Sequence, residues 1–301
     1  MHALAAIALT AATLLAGESG LDNYEVVARV DRVIAQWQRT EDRTEVELTR
    51  QLVEIGVKAE CYLGELLEKR NARTPVASIA ATLGRIGTSP ETVDSLAILL
   101  SSTEQLERLS GVEAMGELKR TEGAAHLIGR LDDSAEDVCA ASVTAILSVA
   151  QANPKFDLVE LLKACERDLK NKEDVALLLG KIGTPDAREV LREFVSRRFE
   201  EKTILAGLAG LWLCGESTDA GDVLDVLLTG DTIAVRRKAC LVLWKLNSRE
   251  ALRDLIDCLY DEHRGLVHDA HWALRQITGL YLNTEPKLWE AWWERSGSKL
   301  R

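Results

Sequence analysis

The chain has 301 residues, of which 47% are hydrophobic and 28% charged, so it is long enough and apolar enough to bury a core. Its formal net charge is −11 at pH 7, whereas a nucleic-acid binder needs a cationic face to displace phosphate counterions. The charge balance therefore argues against a nucleic-acid partner.

The first 17 residues, MHALAAIALTAATLLAG, contain no Lys, Arg, Asp or Glu. This run is too short to span a bilayer comfortably, and it resembles the apolar part of a secretory signal peptide. Residues 1–19 are therefore predicted to be a signal peptide. The mature protein would then be periplasmic or extracellular, with no stable membrane insertion. The alternative is an Ala- and Leu-rich first helix of a cytoplasmic protein, because the run lacks a preceding basic residue and a clean A-x-A cleavage site.

Residues 20–39 are predicted to form an N-terminal capping helix. The segment LDNYEVVARVDRVIAQWQ (21–38) places apolar side chains at helical spacing. These side chains are Val26, Val30, Val33, Ile34 and Trp37.

A repeat then runs along most of the chain. LGRIG (83–87) and LGKIG (179–183) are two copies of one pattern, and stepping from Leu83 finds an apolar residue every 31 to 33 residues. We call these the register residues: Leu52, Leu83, Met115, Ile146, Leu179, Leu211, Leu243 and Leu274. Apolar or small residues recur four positions before and three positions after each of them, which is one face of a helix.

The sequence also predicts where each of these register helices begins. Twelve residues before five of the register residues stands a side chain that can accept a free backbone N–H: Thr40, Asn71, Thr103, Ser134 and Asp231. A register helix of about 15 residues is therefore expected to start at this position.

A short helix completes each unit, as in GAAHLIGRLDD (123–133), DAREVLREFVSRRF (186–199) and REALRDLIDCLYD (249–261). No segment has the alternation expected of a β-strand. A two-helix unit of this size cannot bury its apolar face alone, whereas stacked copies can. The predicted fold is therefore all-α: an α-solenoid of about eight repeats over residues 40–279, with a helical cap at each end.

The segment at residues 231–247, DTIAVRRKACLVLWKLN, resembles the second helix of a HEAT repeat. That helix has a capping Asp, then Val-Arg, a small residue and two aliphatic residues. Asp231, Val235, Arg236, Ala239, Leu243 and Leu246 fill those places. The repeat length and the L-G-x-I-G ending resemble the short bacterial HEAT-like subclass that includes phycobilin lyases. The resemblance covers about residues 40 to 279 and implies a right-handed superhelix. It implies little about function, because the matching residues are packing and capping positions.

Residues 280–301 leave the repeat and are predicted to form a Trp-rich C-terminal cap. The segment contains Trp289, Trp292 and Trp293, and the last unit of a solenoid needs an apolar cover.

A search for catalytic motifs finds no G-x-S-x-G, no H-E-x-x-H and no phosphate-binding glycine loop. His268 and His271 are three residues apart on a predicted helix, but no further ligand is evident, so no metal site is predicted. Some HEAT-like proteins are di-iron hydroxylases that use His-Glu dipeptides, and this sequence contains none. The chain is therefore expected to have no cofactor and not to be an enzyme.

One face of the C-terminal register helices is predicted to be apolar. Leu241 and Trp244 project away from the side of their helix that carries the packing residues, and neighbouring repeats hold apolar residues at equivalent places. Together they form one predicted stripe: Leu177, Leu205, Trp212, Leu213, Leu241, Trp244 and Trp272. Equivalent positions nearer the N-terminus are polar or small: Arg50, Ala81, Glu113 and Thr144.

Exposed apolar stripes usually mark interaction sites. The alternative is that these side chains fill grooves between neighbouring helices, or that the Trp-rich tail covers them. The sequence thus favours a scaffold or adaptor that binds a protein or peptide on its concave face. A second interpretation is an accessory enzyme or chaperone of the lyase-like HEAT class acting on a cofactor-bearing protein. Composition indicates neither the partner nor the oligomeric state.

Overall fold

The computed structural model describes residues 20–40, 44–165, 170–196 and 199–295. The predicted signal peptide lies outside the described residues, as do residues 296–301 of the predicted C-terminal cap. Within the described ranges there are seventeen α-helices and no β-strand, which confirms the all-α fold class. No helix in those ranges has the length and apolar character needed to cross a membrane.

The chain divides into two compact units, residues 1–158 and 159–301. The described part of the first unit contains α1 (Gly20–Arg39), α2 (Glu45–Val53), α3 (Glu60–Glu68), α4 (Val76–Ile86), α5 (Pro90–Leu100), α6 (Gln105–Leu118), α7 (Ala124–Ile128) and α8 (Glu136–Ala152). Two 3₁₀ turns, Val57–Ala59 and Thr121–Gly123, precede α3 and α7.

The second unit continues the alternation of short and register helices. The helices from Leu158 onwards are α9 (Leu158–Cys165), α10 (Lys172–Ile182), α11 (Pro185–Phe194), α12 (Glu201–Cys214), α13 (Ala220–Thr229), α14 (Ile233–Lys245), α15 (Leu252–Asp257), α16 (Arg264–Thr278) and α17 (Pro286–Arg295). Two more 3₁₀ turns, Ser217–Asp219 and Cys258–Tyr260, lie before α13 and after α15.

The even-numbered helices from α2 to α16 are the register helices. All eight register residues are at most 2% exposed, and the residue four positions before each is also buried. Within each unit, successive register helices pack against each other, and α4, α6, α8, α12, α14 and α16 also pack against the short helix that precedes them. The predicted period is therefore the period of the core, because each repeat buries its apolar face only against its neighbours.

The glycine of the repeated L-G pattern permits this close stacking. A Cβ atom on Gly84 would lie 2.7 Å from the carbonyl oxygen of Ala114 on the next register helix. In the second unit, a Cβ atom on Gly180 would lie 3.0 Å from the carbonyl oxygen of Gly210. A side chain at either position would push the two helices apart.

The five predicted capping positions were wrong, because none of those residues is the N-cap of its register helix. Helices α2 and α14 are capped by Thr44 and Thr232, whose hydroxyls accept backbone N–H groups in the first turn. The residues predicted to cap α6 and α8 instead bind Arg108, which donates to the Thr103 carbonyl and the Ser134 hydroxyl and pairs with Asp133 at 2.8 Å. Register helices also vary from 9 to 17 residues, so the repeat determines which face of a helix is buried and not how long the helix is.

Both terminal helices of the described chain pack on their neighbours. Val30 of α1 is fully buried, and the Asp31 carboxylate accepts a hydrogen bond of 2.7 Å from the Tyr62 hydroxyl of α3. Helix α17 packs on α15, and Trp289 is fully buried, with its indole N–H donating to the Asn283 carbonyl at 2.8 Å.

The cysteines that the structure describes are free thiols: Cys61, Cys139, Cys214, Cys240 and Cys258. Cys139, Cys240 and Cys258 are buried, in line with a role as small apolar groups, whereas Cys61 is exposed.

Candidate functional site

Three tryptophans of the predicted stripe lie in contact on successive register helices of the second unit. Trp212 of α12 and Trp244 of α14 have ring centroids 5.3 Å apart, and Trp244 and Trp272 of α16 have centroids 4.2 Å apart in an edge-to-face arrangement. We call Trp212, Trp244 and Trp272 the tryptophan row. Each of the three is half-buried, so part of every indole remains accessible.

The leucines of the stripe lie on three register helices, of which α12 and α14 also carry tryptophans of the row. Leu177 is on α10, Leu205 on α12 and Leu241 on α14, and all three are half-buried. Leu213 of α12 is 49% exposed, and its side chain lies against Gly180 of the adjacent register helix. An exposed leucine beside an accessible row of indoles extends the apolar surface that a partner can bury.

The tryptophan row combines the two possibilities that the sequence left open. The rings do fill the space between neighbouring register helices, because Trp244 contacts an indole on either side. They also retain accessible surface, which a core tryptophan such as Trp289 does not. The ring contacts of Trp289 are with His271 of α16 and Trp292 of its own helix. The row thus holds helices together and presents aromatic surface at once.

Two lysines of α14 flank the first indole of the row. The Nζ atoms of Lys238 and Lys245 lie 5.8 and 6.0 Å from the ring centroid of Trp212, which is within the range of cation–π attraction. Lys238 is half-buried and Lys245 exposed. The sequence argument assigned neither lysine to the stripe, although their seven-residue spacing places them on one helix face.

The neighbouring arginines of α14 are engaged elsewhere. Arg236 pairs with Asp261 at 2.9 Å, and Arg237 pairs with Asp269 of α16 at 2.6 Å. The hydrogen bond to Asp269 raises the pKa of Arg237 and keeps its charge fixed. The three consecutive basic residues 236–238 therefore have three different sets of contacts.

The equivalent surface of the first unit has a different character. Arg50 is exposed and forms ion pairs with Glu47 and Glu54, and Glu113 and Thr144 are also exposed. A cavity of about 390 Å³ in this unit is lined partly by Ile34, Leu66, Pro75 and Ile79, with Asp31 at its wall. Burial raises the pKa of Asp31, and the hydrogen bond from Tyr62 offsets only part of that rise.

The histidines considered as metal ligands have structural contacts. The His271 Nε2 atom lies 2.8 Å from the Leu282 carbonyl oxygen, and the His268 Nδ1 atom lies 3.2 Å from the Asp269 carboxylate. Among the residues that the structure describes, no group of three or more His, Cys, Asp or Glu side chains is placed to bind a metal ion.

No family model and no curated protein matches this sequence. Solved structures with a similar fold include human deoxyhypusine hydroxylase in complex with glycerol, at 15% identity and a TM-score of 0.36, covering 87% of this chain and 100% of that one. Another is the CpcE–CpcF complex of phycocyanin lyase from Nostoc sp. PCC7120, at 18% identity and a TM-score of 0.30, covering 84% of this chain and 94% of that one.

A third is an engineered protein, at 15% identity and a TM-score of 0.27, covering 83% of this chain and 96% of that one. The hydroxylase and the lyase are HEAT-like helical-repeat proteins, and the present chain shares that class of fold.

These comparisons correct the prediction that the chain is not an enzyme. The finding against it is that the similar structures include a hydroxylase and a lyase complex. The prediction depended on the absence of particular sequence motifs, and the absence of a motif does not exclude catalysis.

Proposed function

We propose that this protein binds a segment of another protein on the tryptophan row of its second unit. The observation that carries the proposal is the set of three contacting, half-buried indoles on successive register helices. Tryptophan is enriched at interface hot spots, because it offers a large rigid contact area at a small cost in conformational entropy.

The arrangement of the helices suits an elongated ligand. The row crosses three adjacent register helices, so an extended peptide or an amphipathic helix can place successive apolar side chains against successive indoles. Leu213, at 49% exposure, extends this surface beside α10. Mutual contact fixes the positions of the rings before the partner arrives, which lowers the entropy cost of association.

Site-directed photo-crosslinking tests the proposal. A photoreactive amino acid at Leu213 should join the protein to its partner in the native host, and adding Trp244→Ala should abolish that adduct. Trp293→Ala is the matched control, because Trp293 is a half-buried tryptophan outside the row. An adduct that forms equally well in both variants would show that the row does not bind the partner.

A second candidate is action on a cofactor-bearing protein. Half-buried indoles, of which Trp212 is flanked by two ammonium groups, offer stacking and charge pairing to a planar conjugated group with acidic substituents. The phycocyanin lyase complex belongs to the same class of fold. Absorption spectra of the protein purified from its native host distinguish the two: a visible band that disappears in Trp244→Ala favours this candidate, and its absence favours simple segment binding.

A further inference from the structure

The two lysines of α14, Lys238 and Lys245, differ from its two arginines in their contacts. Within the described part of the chain neither forms an ion pair, whereas Arg236 and Arg237 on the same helix are both paired. Both ammonium groups instead lie about equally far from the Trp212 ring, at 5.8 and 6.0 Å. These two positive charges therefore stand at the edge of the tryptophan row.

This concentration of positive charge contrasts with the whole molecule, whose net charge is −11. The indole face attracts each ammonium, but the attraction at partly exposed sites is only about 0.5–1 kcal/mol and leaves the charges unneutralised. When a partner covers the row and excludes water, uncompensated ammonium groups at its edge become costly unless the partner brings carboxylates.

We propose that the segment bound by the tryptophan row is acidic, with carboxylates that pair with Lys238 and Lys245 and apolar side chains that cover Trp244 and Trp272. The inference rests on the function proposed above and defines the chemistry of the partner. Apolar contact with the indoles provides affinity, and the two lysines select against basic and neutral segments.

Selection from a phage library of short random peptides against the full-length protein tests this composition. Peptides that lose binding to Trp244→Ala should be enriched in Asp and Glu together with aromatic or aliphatic residues. The double charge reversal Lys238→Glu plus Lys245→Glu should weaken these peptides at least about tenfold at low salt and less at high salt. Lys155→Glu plus Lys163→Glu, at exposed lysines outside the register helices, should leave binding unchanged.

The outcomes separate the two proposals. Enrichment that depends on Trp244 but shows no acidic preference overturns the inference and leaves segment binding intact. If the enriched peptides bind the Trp244→Ala variant as well as they bind the unmodified protein, both segment binding on the row and the acidic-segment inference are overturned. If the purified protein instead self-associates, and Lys238→Glu plus Lys245→Glu abolishes the association, the occupant of the row is a second copy of this chain. Preferential binding of a random oligonucleotide would identify the occupant as nucleic acid. Either result overturns the acidic-segment inference.

Discussion

Trp244 lies at the centre of the tryptophan row, with an indole on either side. Because its ring is half-buried, Trp244→Ala removes packing as well as accessible surface. We expect a loss of about 2 kcal/mol in unfolding free energy, against about 4 kcal/mol for Trp289→Ala, where the ring is fully buried. Urea denaturation followed by circular dichroism measures both. Equal losses would mean that Trp244 is purely a core residue, and the binding site would lose its main support.

Glu60 has a large shift in pKa at the first position of α3. Burial by itself raises the pKa of this carboxyl, but hydrogen bonds from the Thr92 hydroxyl and from the Ser89 and Thr88 backbone N–H groups outweigh that effect and lower it to about 2. The carboxylate thereby holds the start of α5 against α3.

The shift predicts an acid-dependent stability. Because the folded-state pKa lies below the usual 4.5, ionised Glu60 stabilises the fold above that pH, and this contribution is lost as the pH falls towards about 2. Glu60→Gln should lower the urea midpoint at neutral pH and flatten its decline over that acid range. Parallel pH curves for the two proteins, offset by a constant, would contradict the assignment.

At the scale of the helix, small residues decide how closely register helices stack. A Cβ atom on Gly84 would meet the Ala114 carbonyl oxygen at 2.7 Å, so Gly84→Ala should cost about 1–3 kcal/mol by separating α4 from α6. A Cβ atom on Gly221 of α13 would stand in open space, with no tertiary contact within 4 Å, so Gly221→Ala should be neutral or slightly stabilising. Thermal unfolding of the two variants measures both changes in stability. Equal changes would show that close packing is not the reason for a glycine at position 84.

At the scale of the whole molecule, each repeat contacts mainly its immediate neighbours. Trp289→Ala should therefore raise amide hydrogen exchange in α15, α16 and α17 of the second unit, with a smaller effect in α12. Exchange measured by mass spectrometry resolves these helices. A uniform increase across the second unit would indicate that it unfolds as a single cooperative block.

The sequence by itself determined the repeat, the all-α class and the identity of the core. Leu83, Leu179 and the other register residues lie at a period that depends only on helix geometry and repeat length, so their burial follows from local pattern. The helix starts were less predictable. Ser134 is a good capping residue in isolation, but the tertiary fold uses its hydroxyl to bind Arg108.

Only the tertiary structure decided what surrounds the stripe. Helical spacing placed Trp212, Trp244 and Trp272 on one side of their helices, but their ring contacts join residues about thirty positions apart and depend on how the helices stack. The same stacking puts Lys238 beside Trp212 while Arg237 next to it reaches Asp269. Residues that are adjacent in the sequence thus contact different partners, because their side chains project towards different neighbouring register helices.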